Sequence, residues 1–141
     1  MSDSVQLVIA NDSAELERLN ELVEEFGRDN KLHVEETYAI YLCLEELVTN
    51  IINYAWPDGG AHEIIVRLRA DDASLHIELQ DDGIPFDPTK VPEPDTNKPA
   101  HERQIGGLGI HLVRQTVNDM FYQRVDDRNI LLLKKKRKAT A

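Results

Sequence analysis

The chain has 141 residues, 41% hydrophobic and 30% charged, with a net charge of −10 at pH 7, the composition of an ordinary soluble globular domain. No apolar run reaches the roughly 18 residues that a membrane span needs. The single cysteine, Cys43, excludes an internal disulfide and a cysteine-rich metal site. The opening residues, MSDSVQLVIAND, lack the basic start and long apolar stretch of a secretory leader, so a cytoplasmic location is expected. Lys134, Lys135, Lys136, Arg137 and Lys138 gather at the C-terminus, and without them the remainder sums to −15. Such a body repels phosphate backbones, which argues against general nucleic-acid binding. The basic tail itself is a solubilising end, a nuclear address or a membrane-surface patch.

In chain order, Val5 to Ala10 reads as a short strand. Asn11, Asp12 and Ser13 can cap a helix carrying Leu16, Leu19, Leu22, Val23 and Phe26 at helical spacing, with Gly27 and Arg28-Asp29-Asn30 marking its end. A second helix is predicted from about Val34 to Ala55, stopping before Pro57, Asp58, Gly59 and Gly60. Two alternating strands follow, one with Ile64, Val66 and Leu68 on one side, the other with Leu75, Ile77 and Leu79. Asp71 to Ser74 joins them as a hairpin. The stretch from Asp81 to Gly107 holds five of the six prolines and reads as a lid, a binding loop or disorder. A third helix starts near Gly109. Two last strands, roughly Met120 to Val125 and Ile130 to Lys135, meet at Asp126-Asp127-Arg128-Asn129. The order predicts an α/β (α+β) two-layer sandwich, a mixed, mainly antiparallel sheet with helices on one face.

Three local features carry chemistry. On the second helix, at about 100° per residue, Glu46, Asn50 and Asn53 fall within an arc of about 60°. Ile40, Leu44, Leu47, Val48 and Ile51 take the opposite side. The polar stripe is a solvent-facing seam or the edge of a site, where a carboxylate can accept a hydroxyl proton and an amide oxygen can ligate Mg²⁺. Next, Asp81-Asp82-Gly83-Ile84-Pro85-Phe86-Asp87-Pro88 follows an alternating strand. Asp81 sits where the strand opens, either in a plain Asp-Gly turn or as an acceptor for an exocyclic amine. Gly83 permits close ligand approach. Third, Gly106-Gly107-Leu108-Gly109 stands at the mouth of a helix, where free amides and the helix dipole favour negative charge. It is neither a Walker A loop, lacking Gly-Lys-Ser/Thr, nor a Rossmann fingerprint, since its helix leads into a hairpin.

The combination of Glu46-Leu47-Val48-Thr49-Asn50, Asp81 to Pro88 and Gly106 to Val113 resembles the Bergerat ATP-binding fold of the GHKL superfamily. Within it, the chain is similar to the single-domain anti-sigma-factor serine/threonine kinases of bacterial partner-switching modules. The resemblance covers nearly the whole chain and implies one domain over 1–141. It implies ATP and Mg²⁺ as cofactors. Asn50 would ligate the metal and Glu46 would be the catalytic base. Asp81 would bind the adenine amino group, with Gly83 giving the ring room. Gly107, Leu108 and Gly109 would lie at the phosphates with Asn53 nearby, and residues 88–105 would form the ATP lid. Arg103 is the candidate lid arginine, and Asn129 the candidate adenine contact on the last hairpin. Pro85 stands where many relatives have a second glycine. The implied partners are a STAS-domain antagonist as phosphorylation substrate, a sigma factor and a second copy of the chain; no membrane or direct nucleic-acid partner is expected.

The alternative is a non-catalytic nucleotide-dependent interaction module with a target other than a sigma factor, against which Glu46 argues, since a pure binder needs no base. The five histidines fit no metal spacing. Cys43, Tyr54 and Trp56 read as packing.

Overall fold

The alternating apolar residues of the strands turn to one side, and three helices cover that side. The structure, a computed structural model, describes residues 3–93 and 107–138. Strands β1 (Asp3–Ala10), β2 (Glu63–Ala70), β3 (Ser74–Asp81), β4 (Asp119–Val125) and β5 (Arg128–Lys136) form one sheet in the order β1-β2-β3-β5-β4. Every pairing is antiparallel. Helices α1 (Leu16–Asp29), α2 (Val34–Tyr54) and α3 (Gly107–Thr116) complete the two-layer α+β architecture. Ile64, Val66, Leu68, Leu75, Ile77, Leu79, Leu131 and Leu133 form one core with Leu19, Val23 and Phe26 of α1, Ile40, Leu44, Leu47 and Val48 of α2, and Val113 of α3. Full burial of each such side chain is worth about 1.5–3 kcal/mol, so the apolar stripe fixes the rotation of α2. That rotation leaves Glu46 and Asn50 half-buried and Asn53 exposed.

Three local features of the chain's course have physical causes. Helix α1 runs through Gly27 to Asp29. It stops because Lys31 takes a positive φ of 52°, and the Leu32 N–H then donates to the Gly27 carbonyl at 2.9 Å, closing the last turn. Of the three candidate caps, Asp12 acts locally, accepting from Ala14 N at 2.9 Å. Asn11 instead ties the end of β1 to the loop after α2, donating to the Gly60 carbonyl and accepting from His62 N. The last hairpin turns on two residues only, Asp126 and Asp127, with φ of 50° and 60°. Such a turn matches the strand twist. It draws Arg128 and Asn129 out of the expected turn and into β5, where Asn129 pairs with Asp81.

The basic C-terminus is folded back. Lys135 Nζ donates to the Thr116 carbonyl at the end of α3 (2.9 Å). Arg137 donates to the carbonyls of Asp71 (3.0 Å) and Asn30 (3.2 Å), the latter at the end of α1. The Lys138 backbone N–H donates to Glu36, a carboxylate buried in the first turn of α2 that also accepts from His33 N at 2.9 Å.

Candidate functional site

The site begins where β3 ends. Asp81, its last residue, is 4% exposed. Its Oδ1 accepts from Gly83 N at 2.9 Å and from Asn129 Nδ2 at 3.0 Å. No hydrogen bond from a described residue engages Oδ2, which leaves an acceptor on a carboxylate that lines a cavity. A Cβ on Gly83 would strike Ala55 at the end of α2, its carbonyl lying 2.6 Å away. The room that Gly83 creates is therefore taken by Ala55. Ile84 N–H donates to that same carbonyl (2.9 Å), and Trp56 Nε1 donates to Asp82 Oδ1 (2.9 Å). The loop is thus pinned to the end of α2.

Asn129 is fully engaged. Nδ2 donates to Asp81 and to the Ile84 carbonyl (2.8 Å), spending both amide hydrogens. Oδ1 accepts from the Tyr122 hydroxyl (2.5 Å), Arg124 (3.1 Å) and Phe86 N (3.3 Å). Asn129 therefore holds the Asp81 carboxylate and has no donor left over for a ligand.

On the opposite wall, Asn50 lines the cavity. Glu46, one turn earlier on α2, lies against the first turn of α3. A Cβ on Gly109 would collide with its Oε2 and approach its Cδ to 3.1 Å. The glycine is what lets the carboxylate reach the mouth of the helix, where unpaired amides gather. Leu108 is exposed in the same turn. Asn53 shares the helix face but does not line the cavity. Arg103, Pro94 to Ile105 of the expected lid, and Gly106 lie outside the described residues.

The cavity measures about 540 Å³. Beyond Asp81, Asn50 and Asn129, its wall includes Tyr54, Phe86, Lys90, Val91, Ile110 and Tyr122. Phe86 and Ile110 belong to the two sequence motifs and Lys90 and Val91 to the expected lid, whereas Tyr54 and Tyr122 are additions to the sequence-based candidates. Tyr54, expected to pack, is 44% exposed on the wall, whereas Trp56 does pack, stacked on His62 with ring centroids 4.6 Å apart. Tyr122 carries only the signal of strand alternation.

The donor set fits a magnesium ion that keeps water and phosphate ligands. Asn50 offers an amide oxygen on the cavity wall, and Mg²⁺ takes few protein ligands in phosphate sites. No group of three or more His, Cys, Asp or Glu gathers into a dedicated cage among the described residues. Cys43 is buried in the core, and burial pushes its thiol up to about 12, which leaves it protonated and unreactive. No helix among the described residues is long and apolar enough to cross a membrane.

A family model described as a histidine kinase-like ATPase domain matches residues 9–135, a span that includes every candidate residue above. The chain is also similar to the serine/threonine-protein kinase BtrW of Bordetella bronchiseptica (strain ATCC BAA-588 / NCTC 13252 / RB50). The two are 30% identical over 96 residues, 68% of each chain.

Proposed function

The chain belongs to the histidine kinase-like ATPase family, and on that premise we propose that it is an ATP-dependent serine/threonine protein kinase acting as an anti-sigma factor. Its substrate is a STAS-domain antagonist, and it sequesters a sigma factor as a cytoplasmic homodimer. The observation that carries the reading is the packing of Glu46 against Gly109, which sets a candidate base beside the amides of a helix mouth. The similarity to a serine/threonine kinase supports the same chemistry.

In this reading Asp81 Oδ2 accepts the adenine amino group. Gly83 N–H and Asn129 Nδ2 hold Oδ1 and so aim the carboxylate. The apolar wall from Ile84 to Val91, with Tyr122, takes the ring. The amides of Gly107, Leu108 and Gly109 face the phosphates, where a helix N-terminus favours anions. Asn53 would serve the phosphate end, and Arg103 and the rest of residues 88–105 would serve as the γ-phosphate contact and the lid. Asn50 holds Mg²⁺, which when bound neutralises phosphate charge. Glu46 accepts the proton of the attacking serine or threonine hydroxyl. Phosphoryl transfer asks the protein mainly for positioning and charge stabilisation, and a positioned base contributes about 10²–10⁴-fold.

The test is transfer from Mg-ATP labelled at the γ-phosphate into a lysate of the source cells, comparing the wild type with Glu46→Gln. A small STAS-type protein labelled on serine or threonine by the wild type, and at least about 10²-fold less by the variant, is expected. Equal labelling by both proteins removes Glu46 from catalysis. No label from either, with ATP binding intact and the antagonist present, replaces the kinase with the non-catalytic module.

A further inference from the structure

Arg114 stands on α3, one turn beyond Ile110 of the cavity wall, and reaches across to the segment that follows Phe86. Its Nη2 donates to the Pro88 carbonyl at 2.6 Å and also to the Val91 carbonyl. These two carbonyls flank a single 3-10 turn, Pro88–Lys90, closed by Asp87, whose Oδ1 accepts from Thr89 N at 2.8 Å. The same stretch supplies Phe86, Asp87, Lys90 and Val91 to the cavity. At its other end Phe86 N–H is held by Asn129. The wall is therefore fastened twice, to the last hairpin through Asn129 and to α3 through Arg114.

We infer that Arg114 is a positioning residue that fixes the 86–92 wall of the cavity to α3 and thereby sets the lifetime of bound nucleotide. The inference rests on the nucleotide-site reading above. Helix α3 carries Gly109 and its contact with Glu46 at one end and Arg114 on its body. One rigid element then holds both the phosphate-facing turn and the base-facing wall. Both bonds leave one terminal nitrogen, whose two N–H directions are fixed by the planar guanidinium, where a lysine ammonium turns freely on its stem. Its Nε is buried without an acceptor among the described residues, so the side chain tolerates an unmet donor to keep this reach.

The test uses the full chain as wild type, Arg114→Met and Arg114→Lys. Release of a ribose-labelled fluorescent ADP, chased with unlabelled ATP, is followed by stopped flow. Hydrogen exchange of peptides covering 84–93 is measured in the nucleotide-free protein. We expect about tenfold faster release from Arg114→Met, equivalent to about 1.4 kcal/mol. Its association rate should change less than about threefold, since loosening acts mainly through dissociation. The lysine variant should fall between, and faster exchange should be confined to 84–93. Unchanged release and exchange in Arg114→Met overturn the inference. So does a loss shared by all peptides without rescue by lysine, which marks damage to the fold. A wild type that binds no nucleotide, while exchange at 84–93 still responds to Arg114→Met, overturns the nucleotide reading and leaves only the fastening of the wall. If the methionine variant does not fold, the lysine variant alone decides by the same release and exchange measurements.

Discussion

Asn129→Ala puts the wiring of the cavity floor to a quantitative test. The side chain makes five hydrogen bonds, to Asp81, Ile84, Tyr122, Arg124 and Phe86. Phe86 and Arg124 are exposed, and water replaces their bonds at little cost. Asp81 is 4% exposed, and a hydrogen bond to a charged group is worth about 1.5–3 kcal/mol. Ile84 is exposed as well, so water replaces its bond cheaply, and the half-buried Tyr122 hydroxyl adds about 0.5–1.5 kcal/mol. Water admitted through the cavity recovers part of this, leaving a loss of about 2–4 kcal/mol. For a chain of 141 residues, at about 4 °C per kcal/mol, melting should fall by about 8–16 °C. Asp81 also loses the donor that aims it, so affinity for ADP should fall at least about tenfold. Circular dichroism melts and titration calorimetry read the two effects separately. A melting temperature within about 2 °C of wild type, with affinity unchanged, refutes the assignment of Asn129 as the holder of Asp81.

Two further perturbations separate chemistry from stability. Gly109→Ala drives a methyl group into the Glu46 carboxylate, which can swing aside because it is the free end of a flexible side chain. Alanine gains about 1 kcal/mol of helix propensity over glycine, so melting should hold. Phosphoryl transfer should drop about 10²-fold, the cost of misplacing a catalytic group by about 1 Å. Unaltered single-turnover transfer at unaltered stability would separate Glu46 from the reaction. The second concerns acid. Asp71 is held well below the usual carboxylate range, first by its hydrogen bond to His76 and then by the N–H groups of Ala73 and Ser74. A lowered folded-state value means the ionised form stabilises the fold above pH about 4, and that contribution drains away as pH falls below it. Asp71→Asn should weaken the protein at neutral pH and flatten the acid limb of urea stability against pH. Parallel acid limbs for the two proteins would rule this out.

Much of the architecture was legible because burial leaves a periodic trace. The alternation of Ile64, Val66 and Leu68 and of Leu75, Ile77 and Leu79 predicts two strands whose inner residues are all buried. The stripe from Ile40 to Val48 predicts the buried face of α2, and hence the opposite placement of Glu46 and Asn50. Sequence periodicity could not place Asn129, because its position depends on a turn made by two aspartates at positive φ, without the glycine that usually signals one. The end of α1 at Asp29 falls inside the expected Gly27 to Asn30 stretch, but the left-handed residue that closes the turn, Lys31, carries no such local signal. Tyr54, Tyr122 and Arg114 were missed as parts of the site because their roles rest on tertiary neighbours, which no local pattern encodes. Arg114 meets carbonyls 26 and 23 positions earlier in the chain.

The folded-back C-terminus changes the electric field that an approaching molecule meets. Along the sequence the chain ends in a cluster of five cations. In space, Arg137 sits 3.9 Å from Glu36 and against two backbone carbonyls, Lys135 against a third, and Lys138 pairs with Glu35. At physiological salt, charges are screened over about 8 Å, so such close pairs act at a distance as nearly neutral dipoles. Two of the five cations, Arg137 and Lys138, are thereby paired with carboxylates, which weakens the field of that end, while most of the acidic side chains stay outside these pairs. Long-range attraction therefore favours a basic partner surface, and its contribution to the association rate should fade as salt is raised.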